Sequence, residues 1–258
     1  MSVVASPETI VLVHGWAGSA ESWSPVVARL EAALPSSRVI AARLPGSPGG
    51  SSTAPSTIPA AARAVTELLE GGTGPALLIG HSMGAQVTLL AAVQSPHLVL
   101  GEVVIDPAYG AADGEREHME RWACDIDRIG HSAVDEFFRS AIGTRTPDAS
   151  ASLILQDFYS TPPPVIASYL RSEYVDEGSI GLESSTRSAA SRRSRPVLAI
   201  HSSAAGAALE SSLTSPEGSM VVRWEGHGHY LHLEDPDGFV SALSVWRTER
   251  ATLDRTPS

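Results

Sequence analysis

The stretch Gly80-His81-Ser82-Met83-Gly84 decides the fold of this chain of 258 residues. It follows the apolar run 76–79 and precedes the helix-like run 85–90, so a strand, a sharp turn and a helix follow one another. Glycine is needed on both sides of the turn, because a side chain there would collide with neighbouring backbone. Such a turn lifts its serine out of the sheet, which makes Ser82 a candidate nucleophile.

The hydrophobic pattern predicts an α/β fold. Apolar, β-branched runs bounded by turn signals predict strands at 9–13, 38–42, 76–79, 102–105, 197–200 and 220–224. Helical patterns at 23–34, 60–69 and 85–94 alternate with them. Alternation of this kind is typical of a mostly parallel, doubly wound sheet with helices on both faces.

The sequence pattern changes between Pro107 and Arg195, where several helical patterns follow one another, and this change indicates an inserted unit. Helical patterns occur at 114–129, 131–142, 152–159 and 165–175, and the prolines at 162–164 break the chain before the last of them. The block is too long for an ordinary crossover connection. We therefore expect a core of residues 1–106 and 195–258 and a helical cap of residues 107–194, with the Ser- and Arg-rich segment 184–195 as a solvated return linker.

Composition excludes several classes of protein. Hydrophobic residues make up 43% and charged residues 18% of the chain, and no apolar run approaches the ~20 residues of a membrane helix. The amino terminus lacks a signal-peptide pattern, so a cytoplasmic location is expected. The net charge of −11 disfavours nucleic acid and anionic membrane surfaces as partners. A small neutral ligand is the more natural partner, and a homo-oligomer stays open.

Two further features of composition bear on chemistry and source. Cys124 is the single cysteine, so neither an intrachain disulfide nor a thiolate metal cluster can form, and we expect this side chain to be semi-buried in a helix. Every basic residue is arginine, and lysine and asparagine are both absent. This bias is consistent with a bacterium whose genome is rich in GC.

A catalytic serine also needs a base, an orienting acid and donors for the oxyanion. The loop that begins at His14 follows the first predicted strand and can aim the backbone N–H of Trp16 at the serine, with the N–H of Met83 as the second donor. The base is expected in the late glycine-rich loop 224–236, which contains three histidines, His227, His229 and His232. Their spacing also suggests a metal site, but histidines in a glycine loop make a weak one. We expect no metal and no cofactor.

These motifs together resemble the α/β-hydrolase superfamily. His14-Gly15-Trp16 is similar to its oxyanion loop, Gly80 to Gly84 to its nucleophile elbow, and Gly226-His227-Gly228-His229 to its histidine loop. The resemblance implies that His229 is the base. The two strands that usually lead the sheet are lacking before the first predicted strand, which resembles the short esterase- and lactonase-like branch.

The acid departs from the usual pattern of that superfamily. Members commonly carry it in the loop after the strand at 197–200, where this chain has Ala205, and Glu210 lies farther on in a predicted helix. Some relatives place the acid at the end of the preceding strand, where this chain has Asp106. The resemblance then implies a triad of Ser82, Asp106 and His229. The alternative role for Asp106 is to cap a turn before Pro107.

The resemblance implies a serine hydrolase that cleaves a small, moderately apolar ester or lactone. Aromatic side chains of the cap are candidates for the pocket wall, namely Trp122, Phe137, Phe138, Phe158, Tyr159 and Tyr169. A cofactor-independent lyase, a carbon–carbon hydrolase, an oxygenase-type enzyme and a non-catalytic receptor stay as alternatives. The related hydroxynitrile lyases use a lysine, which this chain lacks, and dehalogenases and epoxide hydrolases need an aspartate at the position of Ser82.

Overall fold

A six-stranded parallel sheet forms the centre of the molecule. The computed structural model of the chain describes residues 8–253, and the strands lie in the order β2-β1-β3-β4-β5-β6. Every neighbouring pair is parallel. The strands are β1 (Thr9–Val13), β2 (Arg38–Ala41), β3 (Ala76–His81), β4 (Val99–Ile105), β5 (Val197–His201) and β6 (Met220–Arg223). The predicted fold class is confirmed.

Helices cover the sheet and fill the long connection between β4 and β5. Those that connect or follow the strands are α1 (Ser24–Ala33), α2 (Ile58–Leu68), α3 (Met83–Gln94), α9 (Ala204–Ser212), α10 (Leu231–Glu234) and α11 (Pro236–Leu253). Those between β4 and β5 are α4 (Arg116–Ile129), α5 (Asp135–Ala141), α6 (Asp148–Ser160), α7 (Pro163–Tyr174) and α8 (Glu183–Ala190). A division of the chain into core and cap at these boundaries stays a prediction.

Alternation along the strands creates two apolar layers. Side chains such as Val11, Leu78 and Val104 point to one face, where they pack with helices α2 and α3 and with helices of the β4–β5 connection. Their neighbours along the strands point to the other face, where Leu243 and Trp246 of α11 cover them. Burial on both faces explains why the strands are almost continuously hydrophobic in sequence.

The register of the strands places four loops at one edge of the sheet. Val13 of β1 pairs with Gly80 of β3, and Ile105 of β4 pairs with His81 of β3 and with Ile200 of β5. Because all strands run the same way, the loops that leave β1, β3, β4 and β5 emerge side by side. Ligand sites of open α/β sheets lie at this carboxyl edge.

Helix α7 begins earlier than the sequence predicts. The run of prolines is not a break before the helix, because Pro163 and Pro164 form its first turn. Proline is tolerated there since the first backbone N–H groups of a helix have no intrahelical acceptor.

The expectation of a solvated return linker at 184–195 is wrong. This segment contains most of α8, in which Thr186, Ala189 and Ala190 are buried, and it continues to the buried Arg193. Serine and arginine suggested exposure, but the small side chains of α8 pack into the core and Arg193 has buried ionic partners.

Arg193 lies at the centre of a buried charge network. Its guanidinium donates to Glu210 Oε1 at 2.7 Å and to the hydroxyl of Tyr109 at 3.0 Å, and its Nε lies 3.5 Å from Glu102 Oε2. Tyr109 in turn donates to Glu210 Oε2 at 2.6 Å. Burial raises the pKa of Glu102 to about 7 against the opposing effect of Arg193. The network joins β4, α9 and the segment after α8.

Cys124 differs from the sequence expectation in its exposure. It lies on α4 and is exposed, with its Sγ 3.4 Å from Glu120 Oε1. The apolar face of α4 is carried instead by Ala123 and Ile126, which are fully buried. Among residues 8–253, no helix combines the length and apolarity needed to cross a membrane.

Removal of the buried guanidinium should strongly destabilise the fold. Arg193→Ala leaves Glu210 without its cation, so we expect the free energy of unfolding to fall by about 3–5 kcal/mol in urea denaturation followed by tryptophan fluorescence. Arg192→Ala removes an exposed guanidinium one position earlier and serves as the matched control, with an expected change within about 0.5 kcal/mol. Equal effects of the two substitutions would contradict the structural role of Arg193.

Candidate active site

Ser82 occupies a strained turn between β3 and α3. Its backbone has φ 52° and ψ −120°, a left-handed conformation that is rare for a residue with a side chain. A Cβ at Gly80 would lie 2.4 Å from Gly84 O, and a Cβ at Gly84 would lie 2.2 Å from Val13 O. Glycine is therefore required on both sides of the serine, for the steric reason that the sequence suggests. Ser82 is 8% exposed, at the carboxyl edge of the sheet.

The loop after β1 approaches this turn closely. A Cβ at Gly15 would lie 3.1 Å from the Cβ of Ser82, so the following residue, Trp16, begins next to the serine. The indole Nε1 of Trp16 donates to Ile166 O of α7 at 2.9 Å, which fixes the side chain against the helices above the sheet. Met83 is the first residue of α3, and its N–H is one of those that a helix leaves without an intrahelical acceptor. Both predicted oxyanion donors thus flank Ser82.

Asp106 and His229 form a hydrogen-bonded pair. His229 Nδ1 lies 2.7 Å from Asp106 Oδ2. Asp106 Oδ1 accepts two further hydrogen bonds from Ser202, one from its backbone N–H at 2.9 Å and one from its hydroxyl at 2.8 Å. Asp106 itself has φ 40°, a left-handed conformation, and its N–H donates to Ile200 O at 2.8 Å.

These contacts keep Asp106 ionised. Partial burial opposes ionisation, but the hydrogen bond from His229, the electrostatic interaction with that residue and the two hydrogen bonds from Ser202 together lower the pKa of Asp106. A carboxylate bound to Nδ1 orients the imidazole and leaves Nε2 as the basic nitrogen. His229 and Ser82 line the same cavity, so that nitrogen and the hydroxyl share one reaction space.

Two side chains hold the loop that carries His229. The Nε2 of His81 lies 3.0 Å from the carbonyl oxygen of His229, and both carboxylate oxygens of Glu234 accept from the N–H of Gly228 at 3.0 Å. A Cβ at Gly228 would lie 2.6 Å from Glu234 Oε1. The same Cβ would lie 2.7 Å from the Cα of Gly143, and this backbone contact is the reason that the Gly-x-Gly-His pattern needs its second glycine.

Three other histidines that line the cavity, His14, His81 and His232, are uncharged at neutral pH. Burial lowers the pKa of His14 to about 4 and that of His232 to about 3, and burial with the neighbouring His232 and His229 places the pKa of His81 well below its usual range. His232 packs on Trp23 with ring centroids 4.4 Å apart, and His227 packs on Trp224 at 5.2 Å. Within the described part of the chain, no group of three or more His, Cys, Asp or Glu side chains is placed to hold a metal ion.

The cavity above Ser82 has a largely aromatic wall. Of the predicted pocket residues, Trp122, Phe137 and Phe138 line it and surround Trp16, with ring centroids 5.3–5.9 Å from the indole. The structure places the other predicted pocket residues elsewhere. Phe158 lies one layer behind and stacks on Phe138 at 4.2 Å, Tyr159 is 46% exposed and bonded to Asp135 and Arg139, and Tyr169 is buried with its hydroxyl on Pro45 O.

Ala205 lies near the pair formed by Asp106 and His229. Ala205 lies in the first turn of α9, and it lines a second groove together with Asp106 and His229. Asp106 and Ala205, the two positions considered for the acid, thus border the same groove as His229. Glu210, the other candidate, is bonded to Arg193 and Tyr109, and it lies 3.9 Å from His201 rather than against His229.

Sequence reasoning missed several polar residues of the site. They are Ser202 beside Asp106, His81 and Glu234 behind His229, and Glu173 in the cavity wall. The one sequence signal for Ser202 was its position directly after His201, in the loop that lacks a carboxylate. His81 and Glu173 are identified only by contacts between residues distant in the chain, whereas Glu234 contacts Gly228 six residues earlier.

Comparison with known proteins gives the family. Residues 10–242 match the family described as "Alpha/beta hydrolase family". Over 113 residues the chain is 34% identical to Lipase LipV of Mycobacterium tuberculosis, a match that covers 43% of this chain and 41% of the lipase. The chain thus aligns with less than half the length of that relative.

Solved structures share the fold over nearly their full length. A thermophilic esterase from Thermogutta terrifontis has a TM-score of 0.78 at 21% identity, covering 95% of this chain and 90% of the esterase. The enol-lactonase from Burkholderia xenovorans has a TM-score of 0.77 at 19% identity, covering 96% of this chain and 94% of that protein. At such identities the likeness shows the fold alone, and it agrees with the family match. This chain belongs to the alpha/beta hydrolase family.

Proposed function

We propose that the protein is a serine hydrolase that cleaves a carboxylic ester or a lactone through an acyl-enzyme. The observation that carries this proposal is the 2.7 Å hydrogen bond between His229 and Asp106, with His229 and Ser82 on one cavity. An isolated elbow could be structural. An imidazole oriented by an ionised carboxylate beside that elbow supplies the base that a serine nucleophile needs.

The proposed mechanism follows from the placement of these groups. His229 Nε2 takes the hydroxyl proton of Ser82 as the oxygen attacks the acyl carbon, and Asp106 stabilises the imidazolium that forms. The N–H groups of Trp16 and Met83 donate to the oxyanion, with the positive end of α3 behind Met83. His229 then protonates the leaving alcohol, and water, activated by the same base, releases the acid.

The cavity supports a small and moderately apolar acyl group. Its volume is about 160 Å³, and aromatic rings form much of its wall. The similar structures include an esterase and an enol-lactonase, and the sequence relative is named as a lipase. We infer a short-chain ester or lactone rather than a long-chain lipid as the substrate.

The nucleophile is tested by covalent labelling. A fluorophosphonate probe should label wild-type protein on Ser82, and Ser82→Ala should lose both labelling and ester turnover, the latter by a factor on the order of 10⁶. Ser191→Ala, which changes an exposed serine after α8, is the matched control and should keep both. Labelling that persists in Ser82→Ala, located by peptide mass spectrometry, would reject this assignment.

The acid is tested by moving it between the two loops. Asp106→Asn keeps the size of the side chain but removes the charge that orients His229, so kcat should fall by as much as ~10⁴ with little change in Tm. Adding Ala205→Asp in this background should restore part of the rate, because Ala205 lines the groove behind His229.

The matched control for that rescue is Ala204→Asp in the same Asp106→Asn background. It adds the same charge to the same first turn of α9, at an exposed residue one position earlier. Equal recovery at both positions would point to a general effect of charge, and unharmed activity in Asp106→Asn would mean that another residue is the acid.

The base is tested by comparing histidines of one loop. His229→Ala should be nearly inactive, whereas His227→Ala should keep most of the activity, because His227 packs on Trp224 without contact to Asp106. Steady-state kinetics with a p-nitrophenyl ester measures both, and circular dichroism checks the fold. Equal losses that added Zn²⁺ restores would favour a metal site instead.

A further inference from the structure

Glu173 is a buried acid in the cavity wall that the proposed triad does not use. Glu173 lies near the end of α7 and is only 2% exposed. It lines the cavity that contains Ser82. An acid is uncommon in such a place because an ionised carboxylate loses its hydration there.

The carboxyl of Glu173 is connected to the turn that carries the nucleophile. Gln86, one helical turn after Ser82, donates from its Nε2 to Glu173 Oε2 at 3.1 Å and to Ala108 O at 2.6 Å. The N–H of Ala108 donates to Ser82 O at 3.2 Å. Two residues therefore fix the carboxyl relative to the backbone of Ser82.

The surroundings of Glu173 favour the neutral acid. Burial raises its pKa well above the usual range, and no charged neighbour offsets that effect in the described part of the chain. None of the described residues that line the cavity is an arginine, and the chain has no lysine. Asp157 is the other acid of the cavity wall. Its carboxyl differs from that of Glu173 in having a hydroxyl donor, because Ser19 donates to it at 2.7 Å.

A neutral carboxyl at this position has a hydrogen to donate. Within residues 8–253, the Gln86 amide is the single hydrogen-bond partner of the Glu173 carboxyl, and it donates to Oε2. The hydroxyl hydrogen then sits on Oε1, which forms no hydrogen bond with the described residues; the neighbouring Gln86 Oε1 is also without a hydrogen-bond partner. Because Glu173 lines the cavity, a ligand oxygen that accepts from this hydroxyl gains a hydrogen bond in a poorly hydrated place.

Resting on the proposed ester hydrolysis, we propose that Glu173 is a specificity-determining residue that donates a hydrogen bond to an oxygen of the acyl group. The preferred substrates then carry an ether, hydroxyl or keto oxygen in a short and otherwise apolar acyl chain. The acyl group is the natural partner because it stays in the cavity through both half-reactions, whereas the alcohol leaves after the first. A cationic acyl group is the competing partner, because a substrate ammonium would pair with an ionised Glu173.

Three p-nitrophenyl esters of equal acyl size separate these cases. Butyrate, methoxyacetate and 3-aminopropanoate have the same number of non-hydrogen atoms, and they present a methylene, an ether oxygen and an ammonium group. Each kcat/KM is divided by the rate constant for hydroxide attack on the same ester, which removes the intrinsic reactivity. For the wild type we expect the normalised value for methoxyacetate to exceed that for butyrate by about tenfold, and 3-aminopropanoate to be the poorest.

Variants at Glu173 assign that preference to its side chain. Glu173→Gln keeps a donor of similar size and should change the methoxyacetate-to-butyrate ratio less than about threefold, whereas Glu173→Leu should bring it close to one. Glu177→Leu removes an exposed glutamate four residues later and is the matched control, with the ratio unchanged. If Glu173→Leu does not fold, the wild-type ratio and the ratio in Glu173→Gln decide.

The inference is overturned by a wild-type ratio near one, by a ratio that Glu173→Leu leaves unchanged, or by a preference for 3-aminopropanoate that Glu173→Gln abolishes. Any of these outcomes with Ser82-dependent ester turnover rejects the role of Glu173 and leaves the proposed function standing. Absence of both turnover and probe labelling rejects the proposed function itself.

Discussion

The close approach of the Ser82 turn to the end of β1 is the constraint on which the rest of the site depends. Gly84 lies so near Val13 that one added carbon would meet its carbonyl oxygen at 2.2 Å. The left-handed backbone of Ser82 costs about 1–3 kcal/mol, and it persists because β3, α3 and the end of β1 allow no other path. The same closeness brings the loop of Trp16 to the serine.

Parallel neighbours in the sheet explain why the acid can come from either of two loops. β4 and β5 are paired up to Ile105 and Ile200, so their following loops leave the sheet together. Asp106 occupies the first loop, and Ser202 of the second loop donates to it twice. The loop after β5 lacks a carboxylate, but it supplies donors to the carboxylate of the loop after β4. That carboxylate in turn orients the imidazole of His229.

Three of the acids that are buried or partly buried differ in the partners that surround them. Glu210 has a guanidinium partner, Asp106 has an imidazole and two serine donors, and Glu173 has one neutral amide. The partners of Asp106 lower its pKa, whereas burial raises the pKa of Glu173, because only a partner of opposite charge or several donors can replace lost hydration. The consequence is a neutral Glu173 in the cavity wall, whereas the ionised Asp106 lies in the neighbouring groove on the other side of His229.

Local sequence determined the features that depend on near neighbours in the chain. Apolar runs indicated the six strands, since burial on both faces needs continuous hydrophobicity, and the glycines around Ser82 and His229 indicated the tight turns. Composition misled at the segment 184–195, whose serine and arginine content suggested solvent although Ala189, Ala190 and Arg193 are buried. Only the tertiary structure decided what depends on distant segments. The pairs Asp106 with His229 and Gln86 with Glu173 are 123 and 87 residues apart, and no local pattern specifies such contacts, because the sheet register and the docking of α7 create them.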